Sequence, residues 1–521
     1  MSSNIDNPNV YQAVRVPKSR KRKHPYARQA SHQLAGHNVS LGDDNPKSPK
    51  KVDSTAKKTV KVVKPSKKVF PPIPNSPRVI SDEQMGVYRR RFSGNPKNQL
   101  IQNILTDLSI KRAARNYPRS IQPVHTFSHT VSVLPSASNQ RSSGRCWIFA
   151  GLNLMRAAMI KQYNLDKGFE LSQSYLFFCD KMEKANIFMN QVIDTKDEGM
   201  GTRKLEHIFD NTMYDGGYWT MFTNLVNKYG VVPESVMPDS RHARSSGELN
   251  DLLKTKLKQN AMEFRRMAMV GASVEELQKI KQEKMGEIYK ILASSLGTPP
   301  ARGEKFVWKY KDEKSKDMKV LKDVTPISFY RDHVPYNVSD KVLLINSPIK
   351  ATPYHKRFTV DYSSNMEEGN KETYLNLPSA EIIPCLARAI KGDDPIWFGC
   401  DVGKFFDREK GTLDMQAFDY SRVFDVNFRG MSKAERMLSG ASHASHAMVI
   451  SGVDMQGDVP VNWRVQNSWG KDSGEDGNLD MTTEWLAEYG FDFVIDKQFL
   501  SEDHQKMLDE QSEMIPAWGV R

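Results

Sequence analysis

The sequence predicts an α+β fold of two lobes, with helices gathered in its front half and strands in its back half. Three observations carry this. Between Cys146 and Tyr163, residues Ile148, Leu152, Met155 and Met159 fall on one face of a helix. Residues 247–296 form a long helical stretch rich in Leu, Lys and Met, broken near Gly271-Ala272-Ser273. Beyond residue 305 come short apolar runs bounded by turn residues, the mark of sheet strands.

The chain has 521 residues, and 39% of them are hydrophobic, enough for a sizeable core. Residues 1–80 hold 17 Lys and Arg against 4 acids, which accounts for the entire net charge of +13, so the body is neutral in sum. This arm is rich in Lys, Ser, Pro and Asn, shows no helical or strand period, and is expected to be disordered. Within it Lys18-Ser19-Arg20-Lys21-Arg22-Lys23 reads as a nuclear-import or nucleic-acid patch, or else as a solvated charge run. Pro71-Pro72-Ile73-Pro74 reads as an extended linker. No apolar leader is visible at the start, and no run approaches the roughly 18 apolar residues of a membrane span.

Globular composition begins near residue 85. After the Cys146 helix, Ser172–Asp180 and Trp219–Tyr229 read as helices, with Gly216-Gly217 as the turn before the latter. Strands are expected at Phe306–Tyr310, Val342–Ile345, Pro395–Cys400, Met448–Val453 and Trp463–Asn467. The expected layout is a basic extension over 1–84 and a globular domain over 85–521. That domain divides into a helical lobe (about 130–245), insertions (about 246–365), a β-rich lobe (about 366–500) and a C-terminal arm (about 501–521).

The four cysteines, Cys146, Cys179, Cys385 and Cys400, lie far apart without C-x-x-C pairing. Cys146 stands apart from the others because a Gly-containing loop, Asn139 to Arg145, runs directly into the helix it begins. A helix N-terminus presents unpaired N–H groups and a partial positive charge, which favour a thiolate, the reactive form of the residue. The Cys146 N–H and the Gln140 side-chain amide are candidate donors to an oxyanion. A buried structural thiol is the alternative reading. A base is found in His446, at the mouth of the apolar run Ala447–Ile450, with His443 as its rival three residues earlier. Asn467 in Asn467-Ser468-Trp469-Gly470 offers an amide oxygen to orient that imidazole, with Trp469 covering the bond. This chemistry requires no metal and no cofactor.

The stretch Asn139-Gln140-Arg141-Ser142-Ser143-Gly144-Arg145-Cys146-Trp147 resembles the active-site signature of the papain-like cysteine peptidases, and is closest to their bleomycin hydrolase branch. His446-Ala447 and Asn467-Ser468-Trp469-Gly470 match the histidine and asparagine motifs of the same family, and the likeness covers about residues 85–518. It implies a papain-like two-lobe fold with large helical and strand insertions, which would also account for the 300 residues between Cys146 and His446. The implied activity is cysteine-type aminopeptidase action on peptide substrates, with Cys146, His446 and Asn467 catalytic and Gln140 in the oxyanion hole. Gly216, Gly217 and Trp469 would contact substrate. The resemblance also implies a homo-oligomer, a hexamer. The lack of a visible leader and the unpaired cysteines favour the cytoplasm, with the nucleus as the alternative through the Lys18–Lys23 cluster. Two further expectations stand beside it. The arm ends at Gly519-Val520-Arg521, a few residues short of the family's usual cleft-filling end, which leaves endopeptidase action open. The basic residues between 15 and 68 leave nucleic-acid binding open.

Overall fold

A computed structural model describes residues 76–120 and 125–517. The expectations for the basic arm, for nucleic-acid contact through residues 15–68, for the Pro71–Pro74 linker and for Trp518–Arg521 fall outside the described residues. Two compact units are present. In the smaller, to which the described residues 76–100 belong, the helix Asp82–Ser93 starts from a capping box. There Ser81 Oγ accepts from the Gln84 N–H, and the Gln84 side chain accepts from the Ser81 N–H. The larger unit holds everything described below.

Helices form where the apolar period places them, at Cys146–Tyr163 and Trp219–Tyr229. The helix foreseen from Ser172 to Asp180 runs on to Asp194. The 247–296 stretch is two helices, Gly247–Met269 and Val274–Leu296. They part at Gly271, whose φ of +95° suits glycine, and restart at a Ser273–Glu276 capping box. The Cys146 helix is buried on nearly every face. It lies between the helices Gln173–Asp194 and Trp219–Tyr229 and the strands Ile396–Cys400 and His446–Gln456. Gly151 permits the close approach, because a Cβ there would stand 2.6 Å from the Phe222 ring.

The strands form one long mixed sheet. Its central order is Lys341–Ile345, Gly490–Asp496, Ile396–Cys400, His446–Gln456, Val459–Gln466, Asn478–Thr482. Lys356–Val360 and Thr373–Asn376 extend it on the Lys341 side, so the sheet takes in part of the stretch expected as an insertion. Phe306–Lys311 and Met318–Val324 form a separate hairpin. In register, His446 faces Cys400, and Ala447 faces Gly399, which in turn faces Asp492.

A network of buried charges fixes the loop that precedes Cys146. Lys181 Nζ meets Asp215 Oδ1 at 2.7 Å, with the lysine side chain fully buried and the aspartate side chain 9% exposed. Asp215 Oδ2 accepts the Gly144 N–H at 3.0 Å and a bond from Ser246 Oγ, and the Asp215 carbonyl accepts Trp147 Nε1 at 2.8 Å. Burial alone would raise the Asp215 carboxyl, but the Lys181 ammonium and the Gly144 N–H hold it well below the usual carboxylate range. The carboxyl therefore takes up its proton in the unfolded chain before the folded one, and its stabilising contribution is lost as the pH falls below about 4. Asp215→Asn leaves the Lys181 ammonium buried and unpaired. We expect it to lower unfolding stability at pH 7 by about 3–5 kcal/mol and to flatten the acid limb of the stability curve, read by urea unfolding. An unchanged midpoint would contradict this account.

Candidate active site

Cys146 occupies the first position of its helix and alone among the four cysteines keeps partial exposure. Its sulfur lies within hydrogen-bonding reach of backbone N–H groups of Ala447, Trp147 and Cys146 itself. Burial nonetheless pushes the thiol up to about 11, outweighing those N–H groups. The helix terminus therefore acts as expected but does not by itself make a thiolate.

His446 opens the strand His446–Gln456 and is buried at 4% exposure. Its Nε2 lies 2.8 Å from Asn467 Oδ1. The Ser468 backbone N–H, which can only donate, also binds Asn467 Oδ1 at 2.8 Å. The amide oxygen is thus fixed toward the ring, so Nε2 carries the proton and Nδ1 the lone pair. The Trp469 ring covers this bond, with its centroid 4.8 Å from that of His446. Burial drives the His446 pKa down to about 4 against the Asn467 bond, and the Arg408 charge adds to the fall. Burial thus opposes each charge of the Cys146–His446 pair taken singly. His443, the rival base, sits on the preceding loop beside Asp401 and has no such partner set.

Gln140 is buried and ties the two halves of the site. Its N–H donates to the Ser468 carbonyl at 2.8 Å, and its Oε1 accepts from Ser468 Oγ at 2.6 Å. Its Nε2 donates to the Ser143 carbonyl, which leaves a second N–H for another acceptor. Gly216 is open above its Cα, its nearest neighbour being the Tyr214 ring at 3.8 Å, and its carbonyl accepts Lys184 Nζ at 2.6 Å. Gly217 is bare for a different reason, since a Cβ there would meet the Trp147 ring at 2.6 Å. Gly470 holds a φ of +80° and a Cβ on it would strike the Asn139 amide at 2.6 Å.

Several residues escaped the sequence reading. Arg145 is fully buried and forms a bidentate pair with Asp239, at 2.7 and 2.9 Å, immediately before Cys146. Arg408 lies over the Trp469 ring at 5.1 Å. Asp215 adjoins Gly216 in sequence, which was a usable signal. Lys181, Asp239 and Arg408 give none, because their partners are distant in the chain.

The model of the Peptidase C1-like family matches residues 79–520. The chain is 37% identical over 452 residues to bleomycin hydrolase of Homo sapiens, covering 84% of this chain and 97% of the relative. It is 37% identical over 434 residues to aminopeptidase C of Lactobacillus delbrueckii subsp. lactis, covering 83% and 95%. The crystal structure of PepW from Lactobacillus rhamnosis HN001 superposes with a TM-score of 0.81 at 34% identity, covering 85% of this chain and 98% of that one. The fold is therefore papain-like, and the chain belongs to the Peptidase C1-like family, as a cysteine peptidase of its bleomycin hydrolase and aminopeptidase group.

Proposed function

We propose that the protein is a cysteine aminopeptidase in which Cys146 is the nucleophile, His446 the general base and acid, and Asn467 the residue that orients the ring. The observation that carries this is the 2.8 Å bond between His446 Nε2 and Asn467 Oδ1 beneath Trp469, with the Cys146 sulfur beside Ala447. That bond leaves Nδ1 as the nitrogen free to take the thiol proton. As it does so, sulfur attacks the peptide carbonyl carbon and the carbonyl electron pair moves to oxygen. The Cys146 N–H and the second Gln140 N–H stabilise that oxyanion. Its collapse breaks the C–N bond, and His446 delivers the proton to the departing amine. Water then adds to the thioester and gives a proton to the same ring; collapse of the adduct breaks the C–S bond and releases the acid product, and the ring returns that proton to sulfur. Removal of residues from the N-terminus is the mode supported by relatives named aminopeptidase C and aminopeptidase G.

Cys146→Ser is expected to abolish release of fluorophore from aminoacyl amides, and undiminished release would dispose of the reading. Gln140→Ala should lower kcat by about 10²–10³ with a smaller effect on KM. N-acetylated peptides should be cleaved far more slowly than their free-amine forms, whereas equal rates would assign endopeptidase action. The low His446 pKa keeps its lone pair available until the pH falls through about 4. The acid limb of kcat/KM should therefore lie nearer 4 than the 6.5 of an ordinary histidine.

A further inference from the structure

Arg408 stands beside the proton donor of the proposed reaction with no acid of its own. In that reaction His446 hands its proton to the leaving amine, so the fragment which that amine carries begins at this ring. Gly217 packs on Trp147, on the helix side of the sulfur, whereas Trp469 and Arg408 adjoin His446, on the sheet side. Trp469 is half-buried, with its centroid 4.8 Å from that of His446, and the Arg408 guanidinium carbon stands over the same indole at 5.1 Å. Those two steps keep the guanidinium within roughly 10 Å of the imidazole, the reach of two to three extended residues at about 3.3–3.6 Å each. Its charge is felt at the ring, where it disfavours the imidazolium. Phe406 packs against Trp469 at 5.9 Å and also meets the guanidinium, at 5.7 Å. Two aromatic rings therefore hold an otherwise exposed side chain in place.

The acids nearest in sequence are taken by another residue. Among the described residues the Arg408 side chain enters no hydrogen bond and no salt bridge, although Asp407 and Glu409 flank it. Arg115 takes both, at 3.0 Å to Asp407 Oδ1 and 2.6 Å to Glu409 Oε2. Lys111, on the helix Ile110–Ala113, is a second cation within electrostatic reach of Arg408. Its Nζ lies 4.9 Å over the Phe418 ring and, among the described residues, forms no salt bridge. Burial and then the Arg408 charge pull the Lys111 pKa down, with Arg115 adding to the fall and Asp407 opposing it. Arg112 and Lys410 act on Glu409 as well, so cations outnumber acids around this rim. A guanidinium stacked on an indole, with its planar fork of donors unpaired, suits a carboxylate, which such a fork binds through two parallel N–H···O bonds.

We propose that Arg408, with Lys111 adding to its field, forms an anion subsite beside His446 that binds a carboxylate carried by the first two residues beyond the scissile bond. The side chain of Glu or Asp at either position presents that group, and so does the free C-terminus of a two-residue leaving fragment. The subsite rests on the peptidase reading above and adds to it a preference on the side of the departing amine.

The test measures release of free leucine by the full chain from three pairs of peptides at low ionic strength. Leu-Glu-Ala-amide against Leu-Gln-Ala-amide reads a side chain at the first position beyond the cut. Leu-Ala-Glu-amide against Leu-Ala-Gln-amide reads one at the second, and Leu-Ala-Ala against Leu-Ala-Ala-amide reads the free terminus. At least one pair should favour the anion about threefold or more in kcat/KM, and Arg408→Gln should lower that ratio at least twofold. The ratio cancels whatever Arg408 does equally to both peptides of a pair, its effect on His446 included. Smaller preferences in all three pairs, or a preference that Arg408→Gln lowers by less than twofold, overturn the proposal. Should no peptide be cleaved at all, that failure belongs to the peptidase reading. Calorimetric binding of the three anionic peptides to the Cys146→Ser protein then decides. Affinity for at least one of them that falls twofold or more on adding Arg408→Gln supports the subsite, and undetectable binding or a smaller fall sinks it.

Discussion

The candidate site depends on a short ladder between two segments more than three hundred positions apart. The Gly470 N–H donates to the Ser138 carbonyl at 2.9 Å, the Gln140 N–H to the Ser468 carbonyl at 2.8 Å, and Ser468 Oγ to Gln140 Oε1 at 2.6 Å. Through these bonds the loop that launches the Cys146 helix and the loop that follows Asn467 share one backbone frame. Gly470 is indispensable to it, because only a residue without Cβ tolerates both its positive φ and the Asn139 amide against it. Each bond contributes about 1 kcal/mol, but together they set where a sulfur and an imidazole stand relative to one another.

Around that frame the protein places full charges where apolar side chains would be simpler. Lys181 with Asp215, Lys184 with Asp180 and Arg145 with Asp239 all lie at or near zero exposure on at least one partner. Such pairs add little net stability over well-packed hydrophobic residues, and they are costly to break. Their value here is geometric. Asp215 reaches Gly144 and Trp147, Lys184 reaches Gly216, and Arg145 is anchored one residue before Cys146. The same low-polarity surroundings push the Cys146 thiol up and the His446 ring down, so burial holds each group in its neutral form when taken singly.

Much of the fold was legible in the residues. The Cys146 and Trp219 helices, the break at Gly271 and the strands at 396–400 and 446–456 follow from apolar period and turn chemistry. The helix Ser379–Lys391 was missed, for it carries Pro384 in its interior, which argues against a helix in any local reading. The strand Gly490–Asp496 was also missed, though it is central and buried along most of its length, because short buried runs lack a decisive period. Gln140, Cys146, His446, Asn467 and Trp469 were named from motif and chemistry; the structure joins His446 to Asn467 and Trp469, ties Gln140 to Ser468, and puts the Cys146 sulfur within reach of the Ala447 N–H.

By itself the sequence determined which groups are present and what local backbone each one has: a cysteine at a helix start, a histidine at a strand mouth, an amide followed by a tryptophan and a glycine. Those features are encoded within a few neighbours, by propensity, capping and pattern. Only tertiary structure decided the tautomer of His446, the reason Gly217 carries no side chain, the role of Lys181 and the standing of Arg408 over the Trp469 ring. Each of those depends on contacts between residues remote in the chain, and the dielectric that makes them strong exists only once the core has closed around them.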